Sequence, residues 1–196
     1  ENPINDLEND LIGLINILEI CKSINPTIKI IFASTVTVIG FSKNIPSNEN
    51  ESENPLSIYE INKLIAEKYL KMYYKNYKIK TCVIRLSNIF GEYQRIDSPN
   101  RGVLNFMIGK ALRNEPLTVY GTGNFIRDYC YVQNYLDAFI LAAEKKEAIG
   151  QPFNIASGET TKIIEIAILI KEITNSNSPI QFIGRREWDK IINRKA

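Results

Sequence analysis

Two pairs of residues in this chain have the spacing for proton transfer: Tyr59 with Lys63, inside "SIYEINK" at residues 57–63, and Tyr74 with Lys78. Four positions along an α-helix turn through about 400°, so both members of such a pair lie on nearly one face. A tyrosine accepts a hydroxyl proton near neutral pH only when its phenolate is stabilised, because its ordinary pKa is about 10. A neighbouring ammonium supplies that stabilisation by Coulomb attraction. The chain contains no histidine, which removes the commonest general base and the commonest zinc ligand. Proton chemistry therefore falls to Tyr, Lys, Asp, Glu or Cys. With ten tyrosines in a lysine-rich chain, one pair of this spacing arises by chance, and Tyr74–Lys78 sits at the end of a polar surface stretch. From spacing alone, Tyr59–Lys63 is either an ordinary surface pair or a proton-transfer pair.

The elements around Tyr59 narrow the choice. Leu7, Leu11, Leu14, Ile15 and Leu18 recur at helical spacing after Asp6, which predicts a helix over residues 7–23 with Asp6 as its N-cap. A β-rich run at 28–33 follows, inside the strand-like stretch "IKIIFASTVTVIG" at 28–40. Residues 41–56, with Pro46 and Pro55, read as a polar surface loop whose acidic Asn/Glu/Ser stretch is solvated. Ile58, Ile61, Ile65, Tyr69 and Met72 mark an amphipathic helix over 57–75, and "IKTCVIRLSNIF" at 79–90 reads as a second buried strand. Strand, helix and strand in this order make a parallel crossover. Further helices are predicted at 103–113, 135–146 and 162–173, and strands at 117–120, 129–132, 152–155 and 180–183. The alternation is that of an α/β protein, without internal repeats.

Composition bounds the rest. The chain has 196 residues, 44% hydrophobic and 23% charged, with a formal net charge of +2, enough chain to bury a core and too little charge to point to nucleic acid or a membrane surface. No run approaches a membrane span. Cys21, Cys82 and Cys130 are widely separated without a CxxC pattern, which argues against a disulfide framework or zinc knuckle and fits a reducing cytoplasm.

Five ordered blocks carry a family resemblance: "NPINDLENDLIGLINILE", "FASTVTVIG" with a tyrosine 19 residues beyond its glycine in "YEINK", "RLSNIFG", "GVLNFMIGKALRNEPLTVYGTGNFIRDYCYV" and "GQPFNIASGETTKIIEIA". Together they resemble the extended short-chain dehydrogenase/reductase family, in its NAD-dependent sugar-nucleotide epimerase and dehydratase branch. The resemblance implies the C-terminal part of a Rossmann-like parallel sheet, with the remainder of an NAD-binding domain at 1–88 and 133–156. It implies a smaller α/β sugar-nucleotide-binding domain at 89–132 and 157–196. In such a protein Tyr59 is the base that takes a sugar hydroxyl proton while hydride moves to NAD. Lys63 binds the nicotinamide ribose and depresses the tyrosine pKa. Thr35, five residues before Gly40, holds the reacting oxygen, with Ser34 its nearby alternative, and Ala33 and Ser34 line the cofactor.

For the substrate, the resemblance implies that Asn88 and Arg127 contact the nucleotide diphosphate, that Arg186 is a second phosphate arginine with Arg185 its neighbour, and that Thr118 and Tyr120 lie beside the base. Two guanidiniums on a diphosphate suit their fixed donor forks. Where the family's 4,6-dehydratases carry Thr-Asp-Glu, this chain has Thr35, Val36 and Thr37. Val and Thr replace no carboxylate, which disfavours dehydration, and the decarboxylase subgroup, which keeps the glutamate. A hydroxyl at Thr37 matches the 4-epimerases, so reversible oxidation at C4 of a UDP-linked sugar is the leading expectation. A nucleotide-sugar reductase or another epimerase is the alternative within enzymes. Ile39 stands where the family has tyrosine, Asn134 where it has aspartate, and Leu14 where threonine is common. A homodimer through helices 7–23 and 57–75 is also implied.

A Rossmann half needs a glycine-rich turn after its first strand to meet the pyrophosphate, and the only glycines before Tyr59 are Gly13 and Gly40. The family pattern places on the order of 90 residues, the content of a first βαβαβ half, before Glu1. The chain accordingly reads as an internal fragment, marginally stable or prone to associate by itself. A reading of another class is a noncatalytic or split sugar-nucleotide-binding module.

Overall fold

The computed structural model describes residues 3–42, 44, 46–98 and 102–184. In chain order the elements are α1 (Pro3–Leu7), a π turn (Glu8–Ile12), α2 (Gly13–Ile24), β1 (Lys29–Thr35), a 3-10 turn (Val36–Ile39), α3 (Ile58–Tyr77), β2 (Lys80–Leu86) and β3 (Asn88–Phe90). They continue with α4 (Val103–Leu112), β4 (Leu117–Tyr120), β5 (Ile126–Arg127), β6 (Tyr129–Tyr131) and α5 (Val132–Glu144). After a second 3-10 turn (Lys146–Ala148) come β7 (Pro152–Ile155), β8 (Thr161–Lys162), α6 (Ile163–Thr174) and β9 (Ile180–Ile183). The chain divides into two compact units, residues 1–87 with 133–155 and residues 88–132 with 156–196.

The first unit is a three-stranded parallel sheet in the order β1-β2-β7. Its register sets Ser34 beside Arg85, Thr35 beside Leu86 and Arg85 beside Asn154. Helices cover both faces, as a parallel sheet requires. On one face Leu11, Leu14 and Leu18 meet Ala66, Leu70 and Tyr73 over Ile79 and Val83, with Ile30 and Phe32 alongside. On the other, Cys82 and Ile84 pack with Ala142 and Ala148, joined by Ile31, Phe139 and Phe153. Leu18 and Leu70 are fully buried, so truncating either to alanine removes transfer energy and leaves a cavity, a cost of about 2–5 kcal/mol.

Local sequence explains the helix that carries Tyr59. Ser57 is the N-cap of α3 and accepts from the Glu60 N–H at 3.3 Å, while the Glu60 carboxylate accepts from the Leu56 N–H at 2.6 Å. This is the reciprocal logic of a Ser-x-x-Glu start, with the glutamate reaching one residue further back. Lys78 ends the helix in the left-handed region at φ 62°, so its place four residues after Tyr74 is that of a helix terminator.

The first helix differs from expectation. It starts at Pro3, tolerated there because first-turn N–H groups lack intrahelical acceptors, and Asp6 lies inside it instead of capping it. Leu7 and Ile12, at the ends of the π turn, hold right-handed helical φ/ψ of −63/−46° and −64/−41°, so α1, the turn and α2 run on as one helix.

The acidic loop also departs from a merely solvated role. Glu49 accepts from the Asn154 N–H at 2.8 Å, covering a donor of β7, and Glu53 pairs with Lys68 at 2.9 Å and with Arg85 at 3.4 Å. The loop is seated by Gly40, whose φ of 69° suits glycine. A Cβ there would lie 2.0 Å from the Asn54 carbonyl oxygen.

In the second unit β4 and β9 pair in parallel, β3 pairs with β6, and the short β5 and β8 run antiparallel. Leu117 and Val119 point into a core with Met107, Ala111, Ile166, Ala167 and Ile170 from α4 and α6. Strand alternation leaves Thr118 and Tyr120 half-buried on the opposite side of β4.

The deepest polar feature is Arg85, 1% exposed, against Glu67, 6% exposed. Its Nε and Nη2 donate to Glu67 Oε1 at 3.0 Å and Oε2 at 2.7 Å, and Ser34 Oγ donates to Glu67 Oε1 at 2.5 Å. Breaking a buried pair strands the surviving charge. Glu67→Gln should lower stability by about 3 kcal/mol in urea unfolding followed by circular dichroism, while Glu67→Met with Arg85→Met should recover most of that loss.

Candidate active site

Tyr59 stands in the first turn of α3 and is 42% exposed. One turn on, the Lys63 ammonium lies 5.7 Å from the Tyr59 ring centroid and 5.0 Å from that of Phe32 on β1. Its ion-pair partner is Asp10, at 3.3 Å from the π turn of the first helix. Tyr59 is held above the ordinary tyrosine range, by partial burial first and then by the negative charges of Asp10 and Glu60. That direction is opposite to the lowering expected from Lys63, with burial the larger cause.

At the C-terminal end of β1, Thr35 caps the 3-10 turn, its Oγ1 accepting from the Thr37 N–H at 3.3 Å. The Thr35 and Thr37 hydroxyls are 3.0 Å apart, so the residues on either side of Val36 present a hydroxyl pair. Ser34 is 3% exposed and its hydroxyl is committed to Glu67, which leaves Thr35 as the better placed of the two hydroxyls named from sequence. Ala33 is exposed.

The second unit gathers other residues named from sequence. Asn88 Nδ2 donates to the Asp128 carbonyl at 2.9 Å, so Asn88 and the Arg127–Asp128 step lie side by side. Arg127 is half-buried and its Nη1 donates to the Ile126 carbonyl at 2.8 Å. Arg185 and Arg186 lie outside the described residues. Asn134 falls in the first turn of α5.

Three acidic residues are missing from the sequence-based set. Glu67 continues the Tyr59, Lys63 series by one more turn, a spacing that was available to find it. Asp128 receives the Ser157 N–H and hydroxyl, each at 2.8 Å, and the Gly158 N–H at 2.9 Å, a set of contacts 29 or 30 positions apart that no local pattern reveals. Asp10 meets Lys63 from a separate helix. Among the described residues no His/Cys/Asp/Glu group is placed to hold a metal ion, the three cysteines are free thiols, and no helix is long and apolar enough to cross a membrane.

Comparisons with known proteins agree with this architecture. A UDP-glucose 4-epimerase of Thermotoga maritima, solved with UDP-glucose, superposes with a TM-score of 0.90 at 32% identity, covering 96% of this chain and 60% of that one. A UDP-N-acetylglucosamine 4-epimerase of Methanobrevibacter ruminantium M1, solved with UDP-N-acetylmuramic acid, superposes at 0.89 with 29% identity, covering 95% and 59%. In sequence, the chain is 35% identical over 191 residues to a candidate UDP-glucose 4-epimerase of Methanocaldococcus jannaschii, covering 97% of this chain and 59% of that protein. It is 32% identical over 193 residues to UDP-glucuronic acid decarboxylase 1 of Danio rerio, covering 96% and 45%. The chain thus spans about half the length of the relatives it matches. Residues 1–156 match the model of the NAD dependent epimerase/dehydratase family, and with the parallel α/β fold around Tyr59 and Lys63 this shows that the chain belongs to that family.

Proposed function

We propose that this chain supplies the proton-transfer residues and diphosphate-contacting residues of an NAD-dependent nucleotide-sugar 4-epimerase acting on UDP-linked sugars. The observation that carries the reading is the hydroxyl pair of Thr35 and Thr37, 3.0 Å apart at the end of β1, in a family whose dehydratases need carboxylates on that segment. Relatives of both the epimerase and decarboxylase kinds match the chain. With Val36 and Thr37 in place of acidic residues, no carboxylate at these positions serves elimination or decarboxylation.

In this reading the first unit is the remainder of the NAD-binding domain and the second is the nucleotide-sugar domain. The residues present fit the nicotinamide end of the cofactor: an exposed alanine at the strand end, a tyrosine hydroxyl and an ammonium are the small and hydrogen-bonding groups that a ring and a ribose require. The pyrophosphate end requires a glycine-rich turn, and no GxxGxxG occurs in these 196 residues. NAD, when bound, would supply the hydride acceptor and donor for the sugar carbon. Tyr59 takes the proton from the C4 hydroxyl as the carbonyl forms and returns it on reduction, so no net proton or electron is consumed. Thr35 holds the same oxygen, and Lys63 would hold the nicotinamide ribose. Asn88 and Arg127 bind the diphosphate, with Arg186 assigned to it by sequence, and Thr118 and Tyr120 lie beside the base.

The reading also assigns a homodimer to helices 7–23 and 57–75, whose Ile17, Ile20 and Ile61 are 52, 55 and 44% exposed. Ile20→Lys should convert a dimer to a monomer in sedimentation.

In the full-length enzyme, interconversion of UDP-galactose and UDP-glucose read by chromatography tests the activity. Tyr59→Phe should lower kcat by about 10²–10⁴ while UDP-sugar affinity stays within twofold, because only the proton acceptor is lost. Near-normal turnover in that variant would refute the assignment. Arg127→Ala should weaken UDP binding by roughly 10–100-fold in calorimetry, the scale of a lost charge-assisted contact.

A further inference from the structure

A cavity of about 380 Å³ opens in the first unit between the acidic loop, the C-terminal half of α3 and the turn that enters β7, a volume in the range of small-molecule sites. Its least exposed lining residue is Arg85, at 1%. Nε and Nη2 of that guanidinium are committed to Glu67 and Glu53, but Nη1 is buried and has no hydrogen-bond partner among the described residues. A buried N–H donor without an acceptor carries a desolvation cost that a bound acceptor removes.

The charges around the cavity do not cancel. Four cations and three carboxylates line it. Glu67 is bound by Arg85, Glu53 by Lys68 and Arg85, and Glu49 turns its Oε1 to the Asn154 N–H. Lys71 and Lys75 are exposed, lie four positions apart on one face of α3, and take part in no ion pair among the described residues. One wall is built closely. The Gly150 N–H donates to the Thr81 carbonyl at 2.6 Å, and a Cβ at Gly150 would lie 2.3 Å from the Tyr74 ring, so the turn packs directly against α3.

We propose that this cavity is a site for a small phosphate monoester, its phosphate held by the Lys71 and Lys75 ammoniums and accepting from Arg85 Nη1. Ammonium and guanidinium donors are the groups that hold phosphate oxygens. The volume leaves space beyond one phosphate group for the polar body of an ester, which the side-chain amides of Asn50 and Gln151 line. Lys71 lies twelve residues past Tyr59 on α3, about 18 Å along the helix at 1.5 Å per residue. All the lining residues belong to the first unit, whereas Asn88 and Arg127 belong to the second. The site is separate from the residues assigned to the epimerase reaction and does not rest on that assignment.

The test takes the full-length enzyme with glucose 6-phosphate and inorganic phosphate as probes, and reads lysine acetylation by acetic anhydride in mass spectrometry. Saturating glucose 6-phosphate should slow acetylation of Lys71 and Lys75 by about threefold or more. Lys78 and Lys80, which do not line the cavity, should react as before. In calorimetry, Lys71→Ala combined with Lys75→Ala should weaken glucose 6-phosphate binding by about 10-fold, while Arg127→Ala should leave it within about twofold. Both lysines are exposed, so their replacement is a surface change with little cost to the fold. Inorganic phosphate should bind more weakly than the ester. Protection by inorganic phosphate alone would overturn the monoester assignment. Absence of protection by either probe would overturn the site itself and leave Arg85 Nη1 to water.

Discussion

The buried pairing of Arg85 with Glu67 is the constraint on which the first unit turns. A guanidinium that is 1% exposed needs a paired counter-charge, and Glu67 meets Nε and Nη2 with both carboxylate oxygens, while the buried Nη1 has no hydrogen-bond partner among the described residues. The pair joins the middle strand β2 to α3, and the Ser34 hydroxyl adds the neighbouring strand β1. It therefore fixes the rotation of α3 about its own axis. Tyr59 and Lys63 lie two turns and one turn before Glu67, so the interaction that anchors the helix also decides where these two residues face.

The same helix carries apolar side chains on an adjacent stripe, and their packing sets its distance from the sheet. Ala66 and Leu70 are fully buried against Leu14 and Leu18, which places the first helix near enough for Asp10 to meet Lys63. Packing, the structural ion pair and the candidate active site are thus coupled through one 20-residue element. The surrounding loop takes part as well: Glu53 adds a second carboxylate to Arg85, and Glu49 covers a backbone donor of β7. Acidic residues that a composition-based reading sends to solvent instead satisfy the sheet's polar groups.

Much of the fold could be read in one dimension because strands and amphipathic helices carry periodic patterns. Strands 117–120, 152–155 and 180–183 coincide with the observed bounds, since each is a short apolar run closed by turn residues. The N-terminus of α3 is written in Ser57 and Glu60. The two-residue strands β5 and β8 carry no usable period and exist only because they pair with each other. The stretch at 79–90 reads as one strand, yet Ser87 separates β2 from β3, which pair with different partners. Asp6 has the right chemistry for a cap, but continuous helical packing against α3 overrides that local preference.

The α/β class, the face shared by Tyr59 and Lys63, and the family to which the ordered motifs belong are legible in one dimension, because these depend on residue type and spacing along the chain. Which acid meets each cation follows from packing between elements: Glu67 and Glu53 for Arg85, and Asp10 for Lys63. Packing also turns Ser34 to Glu67, while Thr35 meets Thr37 within the local turn. The Thr35–Thr37 pair is local, whereas the ion pairs join residues 18 to 53 positions apart on α3, β2, the acidic loop and the first helix, and the Ser34 bond spans 33 positions between β1 and α3. They follow from where packing brings separate elements together, and that information is held by no single stretch of chain.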